Sequence, residues 1–229
     1  GCLPKGNNNY GKDASEGGYK AIPAPGVNDS RRTARVLTGT GPVSWSHDGT
    51  LEGIWDLNGN IWEWNGGSRT VKGELQVLVN NNAADLDHSQ AASSAQWKAI
   101  DATTGAYITP NGSGTTANSI KLDWVSGKIT YSATITTQAD ASRDCAFASV
   151  TCASSVSAAA QAVLKALAFL PASATASEYE DDHMWMNNGA DERAFYSGGV
   201  WTVGAGAGLF ALGGSSPRSA SGWNLGFRS

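Results

Sequence analysis

Apolar and polar positions along this 229-residue chain change rhythm several times, and each change predicts a different kind of element. Residues 1–44 hold no sustained period. GNNNYGKD, IPAPG and TGTGP bring Gly, Pro and Asn too often for regular structure, so the pattern predicts irregular coil against a core, with one short strand at 35–37. The next stretch, SWSHDGTLEGIWDLNGNIWEWNGG, gathers Trp45, Trp55, Trp62 and Trp64 with Ile54, Leu57 and Ile61. Asn58 followed by Gly59 is a two-residue turn signal between apolar runs. Within IWEW, alternation sets Trp62 and Trp64 on one face and Ile61 and Glu63 on the other. Tryptophans this dense need a core to enter.

From residue 71 the period settles at two. VKGELQVLVN predicts a strand with Leu75, Val77 and Val79 alternating, and WKAIDATTG with AYITP predicts a second pair ahead of the polar loop NGSGTTANS. IKLDW, VSG and KITYSATI read as a hairpin with a short Gly-containing turn. Between 156 and 170 the apolar residues fall at 156, 160, 163, 164 and 167, a helical stripe ended by Pro171. ATASEYEDDHMWMNNGADER is polar with an aromatic core pair. The final stretch, SGGVWTVGAGAGLFALGGSSPRSASGWNLGFRS, has the look of low-complexity filler yet carries Trp201, Phe210, Trp223 and Phe227. Alternation in VWTV and in GLFAL lets one face pack while the other is presented.

Composition narrows the class. Charged residues are only 16% and Gly numbers 28, which points away from a helical bundle and toward a loop-rich fold of short strands. A net charge of −4 argues against a nucleic-acid groove, which needs clustered Lys and Arg. Arg31, Arg32 and Arg35 read as a solvated loop. Cys145 and Cys152 bracket DCAFASVTC and either close a small disulfide or remain two free thiols. No apolar run is long enough for a membrane span. The chain begins without an initiating Met, which reads as the C-terminal part of something longer.

Candidate chemistry is sparse. Asp85, Asp87 and His88, and the acidic run from Glu178 to His183, lack metal-ligand spacing and read as solvated acidic loops. DLNGN at 56–60 places its Gly too early for a calcium loop. His47 and Asp48 beside Ser44 and Ser46 form no hydrolase signature. Gly204, Gly206 and Gly208 are not a dinucleotide fingerprint, since no βαβ setting or acidic partner follows.

One set of motifs does carry a resemblance. Gly59-Asn60-Ile61-Trp62-Glu63-Trp64 and the terminal Gly226-Phe227-Arg228 resemble the GNxWEW and GFR motifs of C-type-lectin-fold domains related to formylglycine-generating enzyme. GNNNYGKD, GTGPVSWSHDGT and ERAFYSGG ahead of Trp201 are similar to variable proteins of diversity-generating retroelements, above all those of phages and prophages. The resemblance covers about 1–66 and 185–229 and leaves the middle unmatched. It implies an α+β, C-type-lectin-like single domain over 1–229: an N-terminal part at 1–66, an insertion-rich middle of strands and one helix at 67–184, and a C-terminal variable region at 185–229.

In that family a reverse transcriptase miscopies template adenines, so that AAC and AAT codons become almost any codon ending in C or T. Such codons cannot encode Lys, Glu, Gln, Met or Trp. Lys, Glu, Gln and Met total 22 in residues 1–195, and none occurs in 196–229. Carried over by alignment, the resemblance implies variable, ligand-contacting positions at Val200, Thr202, Val203, Gly206, Gly213, Ser215, Ser219, Ser221 and Gly222. Tyr196, Trp201 and Trp223 would be the fixed framework of the site, with Ala207, Phe210, Leu212, Leu225 and Phe227 holding the scaffold. The implied function is hypervariable ligand binding rather than catalysis, as a receptor-binding or adhesin tip on a phage tail virion or bacterial cell surface. Its partner would be a surface protein or glycan of a bacterial or host cell, with no nucleic acid and no membrane insertion. No cofactor is implied. Many lectin-fold relatives hold calcium, but no ligand set here supports it. The alternatives are an oxidase or synthase of the formylglycine-generating type, for which the C-terminal cysteine pair is missing, and a structural tail domain without diversification.

Overall fold

A computed structural model of the chain describes residues 3–18, 21–25, 34–80, 82–173 and 175–227; Cys2, Arg31, Arg32 and Arg228 lie outside them. Among the described residues twelve strands and one helix give a mixed α+β structure, mostly sheet. The strands are β1 (Trp62–Val71), β2 (Glu74–Val77), β3 (Lys98–Ile100), β4 (Tyr107–Ile108), β5 (Lys121–Val125), β6 (Lys128–Ser132), β7 (Arg143–Ala146), β8 (Thr151–Cys152), β9 (His183–Met186), β10 (Arg193–Ser197), β11 (Leu212–Ser216) and β12 (Leu225–Gly226); the helix is α1 (Ala158–Ala166). They join in the order β7-β9-β11-β10-β1-β2-β5-β6-β8, with β3 and β4 branching from β2 and β12 lying parallel to the start of β1. The β2–β5 junction rests on one pair, Glu74 opposite Lys121.

Two-residue alternation divides the central strands between two faces. Leu75, Met184, Met186, Phe195 and Leu212 enter the main core, which Ala160 and Leu164 of α1 share. Each such large side chain withdrawn from water contributes roughly 1.5–3 kcal/mol. The opposite face carries Trp62, Trp64, Trp185 and Tyr196, which form a second cluster with Val200, Trp201 and Ala211. The placement of Trp62 and Trp64 on one face therefore holds, but Ile61, just ahead of β1, packs against the same cluster rather than on the opposite face.

Local chemistry sets the element ends. Ser157 caps α1, its side chain accepting the Ala160 N–H at 3.2 Å, a cap worth about 1 kcal/mol. The helix closes before Pro171, because Ala168 turns to φ 58, the left-handed conformation that ends many helices. The hairpin over IKLDWVSGKITYSATI is present as β5 and β6, turned at Ser126 and Gly127, both at positive φ. The same device at Lys72 and Gly73 breaks VKGELQVLVN, so Val71 closes β1 and only residues 74–77 form β2.

Three expectations need correction. Asn58 and Gly59 turn no hairpin. Asn58 Nδ2 donates to the Pro4 carbonyl, Asn60 Oδ1 accepts Val36 N–H, and Gly59 lies parallel to Asn7. The segment is the dock on which the N-terminal coil is pinned. The predicted strand at 35–37 is reduced to a bridge between Val36 and Pro23. The acidic run at 178–183 is not a solvated loop throughout, since Asp182 is buried and His183 opens β9. Cys145 and Cys152 are free, Cys145 sitting in the core where its sulfur accepts the Ile129 N–H at 3.4 Å.

Candidate ligand-binding site

The second cluster grows from one transverse row. Trp64 on β1 pairs with Tyr196 on β10, Tyr196 with Gly213 on β11, Gly213 with Trp185 on β9, and Trp185 with Asp144 on β7. Because these are register partners, their side chains share one face. Trp62 packs edge-on against Trp185 at 5.2 Å and against Tyr196 at 4.8 Å, and Trp64 meets Tyr196 edge-on at 5.3 Å, the geometry aromatic quadrupoles favour. At the far end His183 Nδ1 and Asp144 Oδ2 are 2.8 Å apart, with the imidazole 5.6 Å from the Trp185 ring.

Two loops flank this platform. The first, residues 198–211, is stapled to the N-terminal coil: Tyr10 N–H donates to the Trp201 carbonyl at 3.0 Å, and Gly204 N–H donates to Asn8 at 2.9 Å. Its far end is fixed by Asp182, whose carboxylate accepts the Phe210 N–H at 2.7 Å. Gly208 packs directly on that carboxylate, where any Cβ would overlap it. Burial pushes the Asp182 carboxyl up to about 7, with the Glu180 and Asp181 charges adding to the rise against the Phe210 hydrogen bond. The second loop, residues 217–224, is held at one end by Arg218, which donates to both oxygens of Glu192 at 3.0 and 2.9 Å. At the other end Trp223 stacks on Trp201, rings 4.8 Å apart and 25° from parallel.

The expected site residues divide accordingly. Thr202, Ser219, Ser221 and Gly222 are exposed, and Val203, Gly206 and Ser215 are half-buried. Tyr196 and Trp201 are buried. Val200 is not presented: it lies in the second cluster beside Trp201, because VWTV is a turn rather than a strand and strand alternation does not apply to it. Gly213 is likewise buried, and the Tyr196 ring fills the space its side chain would need. Trp223 is 56% exposed and Phe227 78%, so neither is core; Trp223 keeps one ring face on Trp201 and offers the rest outward.

The structure joins Tyr196, Gly213 and Ser215 directly, the Tyr196 hydroxyl lying 3.0 Å from the Ser215 hydroxyl. Ser219, Ser221 and Gly222 lie on the second loop, which is tied to the platform by the Trp201–Trp223 stack and by the Trp62 N–H, which donates to the Asn224 carbonyl at 2.9 Å. Sequence reasoning missed Trp185, His183 and Asp144. The signal was present in HMWM, where His183 and Trp185 alternate with the buried Met184 and Met186. The other candidates are local turns: His47 Nδ1 accepts the Ile54 N–H, and Asp48, held down to about 2 by the Ser46 hydroxyl and the Thr50 N–H, closes its own loop. Among the described residues no group of three or more His, Cys, Asp or Glu is placed to hold a metal ion, and no helix is long and apolar enough to cross a membrane.

Comparison with protein-family models finds no match, and comparison with curated proteins finds no significant similarity.

Proposed function

We propose that the chain is a ligand-binding module of the C-type lectin fold. Its contact side chains sit on the loops at 198–211 and 217–224 and are rewritten by a diversity-generating retroelement. One observation carries the reading: Thr202, Ser219, Ser221, Gly222 and Trp223 are exposed on two loops that are cross-linked by the Trp201–Trp223 stack and footed on a buried aromatic platform. Rigid anchors beneath replaceable surface positions are what a recognition surface of changing specificity requires. On this reading the whole chain is one domain. The partner is a surface protein or glycan of a cell, met from a phage tail or from a bacterial surface.

Binding rather than oxidase chemistry is also favoured by the thiols. A nucleophilic cysteine works as the thiolate, whereas Cys145 is closed into the core and burial pushes the Cys152 thiol up to about 11.

The test is to read the DNA that encodes residues 196–229 and the flanking kilobases. A near-copy differing only at adenines, beside a reverse-transcriptase gene, supports the reading and fixes the variable positions. Differences spread evenly over all four bases, or no copy at all, sink the diversification claim.

A further inference from the structure

On the opposite side of β1, β10 and β11 from the aromatic platform lies a cavity of about 440 Å³, within the range of small-molecule sites. Its wall is apolar, with Leu78, Phe169 and Leu212 buried and Tyr107 half-open at the mouth. Among the described residues none that lines it carries Asp, Glu, Lys, Arg or His, although all five types are present elsewhere on the surface. Asn65, Ser68, Asn80 and Ser197 interrupt the apolar wall with polar side chains. Asn65 Oδ1 accepts the Ser197 hydroxyl at 3.1 Å, and its Nδ2 has no hydrogen-bond partner among the described residues; neither has the Ser68 hydroxyl.

We propose that this cavity is a second binding site, for a neutral and mostly apolar small molecule that presents a hydrogen-bond acceptor at one end. An apolar body displaces water from Leu78, Phe169 and Leu212. The acceptor meets the Asn65 amide and the Ser68 hydroxyl, whose hydrogen-bonding capacity the protein leaves unused. A charged ligand is selected against, since its ionic group would lose water without meeting a counter-charge. The size admits about 10 to 20 non-hydrogen atoms, the lower part of the drug-sized range. The cavity shares the end of the 198–211 loop with the reading of the opposite face, since Leu209, Phe210 and Ala211 line it, but none of Thr202, Ser219, Ser221 and Trp223 does.

The test uses benzamide, with benzoate as its charged counterpart, titrated into the isotopically labelled chain and followed by amide chemical shifts. Benzamide is expected to bind saturably in the millimolar range, as its size allows, with shifts centred on Gly66, Ser68, Phe169 and Leu212. Benzoate should bind at least about tenfold more weakly. Asn65→Ala should weaken benzamide about fivefold, the worth of one hydrogen bond; Ser68→Ala gives the same test if the first variant does not fold. The proposal is overturned if the two probes behave alike, if shifts never saturate, or if they map to Thr202, Ser219 and Trp223 instead. That last outcome would leave the reading of the loops intact.

Discussion

The Tyr196 ring occupies the volume in which a side chain at position 213 would stand, its Cε2, Cδ2 and Cζ atoms all within contact of a Cβ built on Gly213. The pair is one packing unit. Gly213 cannot change without displacing Tyr196, and Tyr196 is the ring on which Trp62 and Trp64 both rest. Gly213→Ser is expected to cost about 1–3 kcal/mol, the usual penalty of overpacking. Adding Tyr196→Ala to that variant should cost less than the same change made alone, because the clash and the ring leave together. Chemical denaturation of the four proteins checks this. Additive losses would show that the ring and the glycine do not compete for space.

The exposed loop positions should behave in the opposite way. Replacing Thr202, Ser219 and Ser221 by Asp, Tyr or Arg is expected to move stability by no more than about 0.5 kcal/mol each. Val200→Asp, by contrast, puts a carboxylate among Trp62, Trp201 and Ala211 and should cost several kcal/mol, on the order of 3 or more. Thermal melting of this panel separates the two groups. A Val200→Asp protein that melts with the parent would return that residue to the presented surface.

Trp201 and Trp223 differ in burial, and the difference sets the size of each loss. Trp201→Ala empties a fully buried site and should cost about 3–5 kcal/mol. Trp223→Ala removes a half-exposed stack worth roughly 0.5–1.5 kcal/mol, with the loss concentrated in the loop it anchors. Limited proteolysis should then cut the Trp223→Ala protein first within 217–224. Cleavage at the same rate and place as the parent would mean that the stack does not hold the loop.

Much of this arrangement was legible in the chain. The hairpin at 121–132, the pairing of 98–100 with 107–108 and the helical stripe from Val156 to Leu167 all rest on local periodicity, and local periodicity survives into the fold. The failures have a common physical cause. Val200, Gly213 and Asp182 owe their burial to partners far away in sequence: Trp62 for Val200, Tyr196 for Gly213, and the Phe210 amide for Asp182. A Gly/Ser-rich segment shows no period of its own, so its path is set by where Trp201 and Phe210 find room. Asn58 and Asn60 mislead for a related reason, since they spend their amides on Pro4 and Val36 rather than on a turn.

Glu192 joins the second loop to the sheet. It receives two hydrogen bonds from Arg218 and one from Arg69 at 2.8 Å, and Arg69 is itself buried with its guanidinium 4.3 Å from the Trp97 ring. Removing the carboxylate by Glu192→Gln strands a buried cation and should cost about 3 kcal/mol, whereas Arg218→Ala, at the exposed end, should cost under about 1 kcal/mol. The Arg218 and then the Arg69 hydrogen bonds hold the Glu192 carboxyl below its ordinary value. Its contribution is therefore present at neutral pH and lost as pH falls through that lowered value. Denaturation at pH 7 and pH 3 checks both points: equal losses for the two variants at pH 7, or an undiminished Glu192→Gln loss at pH 3, would contradict the network.

Asp182 carries the opposite sign. Its carboxyl titrates near 7 in the fold against an ordinary 3.8, so folding favours the protonated form. The stability this group contributes is complete below about 3.8 and is lost as pH rises through about 7. A displacement of that size corresponds to a few kcal/mol, on the order of 4 at most. Asp182→Asn keeps an oxygen to accept the Phe210 N–H and removes the charge, so it should be more stable than the parent at pH 8 and no more stable at pH 4. The informative quantity is the difference between parent and variant, measured by urea denaturation at half-unit steps from pH 5 to 8. Glu192 stays ionised throughout that range and cancels in the comparison. A difference that grows with pH identifies the buried carboxyl beneath Gly208 and Phe210 as the source. A flat difference would mean that water reaches Asp182 and that the end of the 198–211 loop is held by packing of Phe210 against Phe147 and Tyr179 alone.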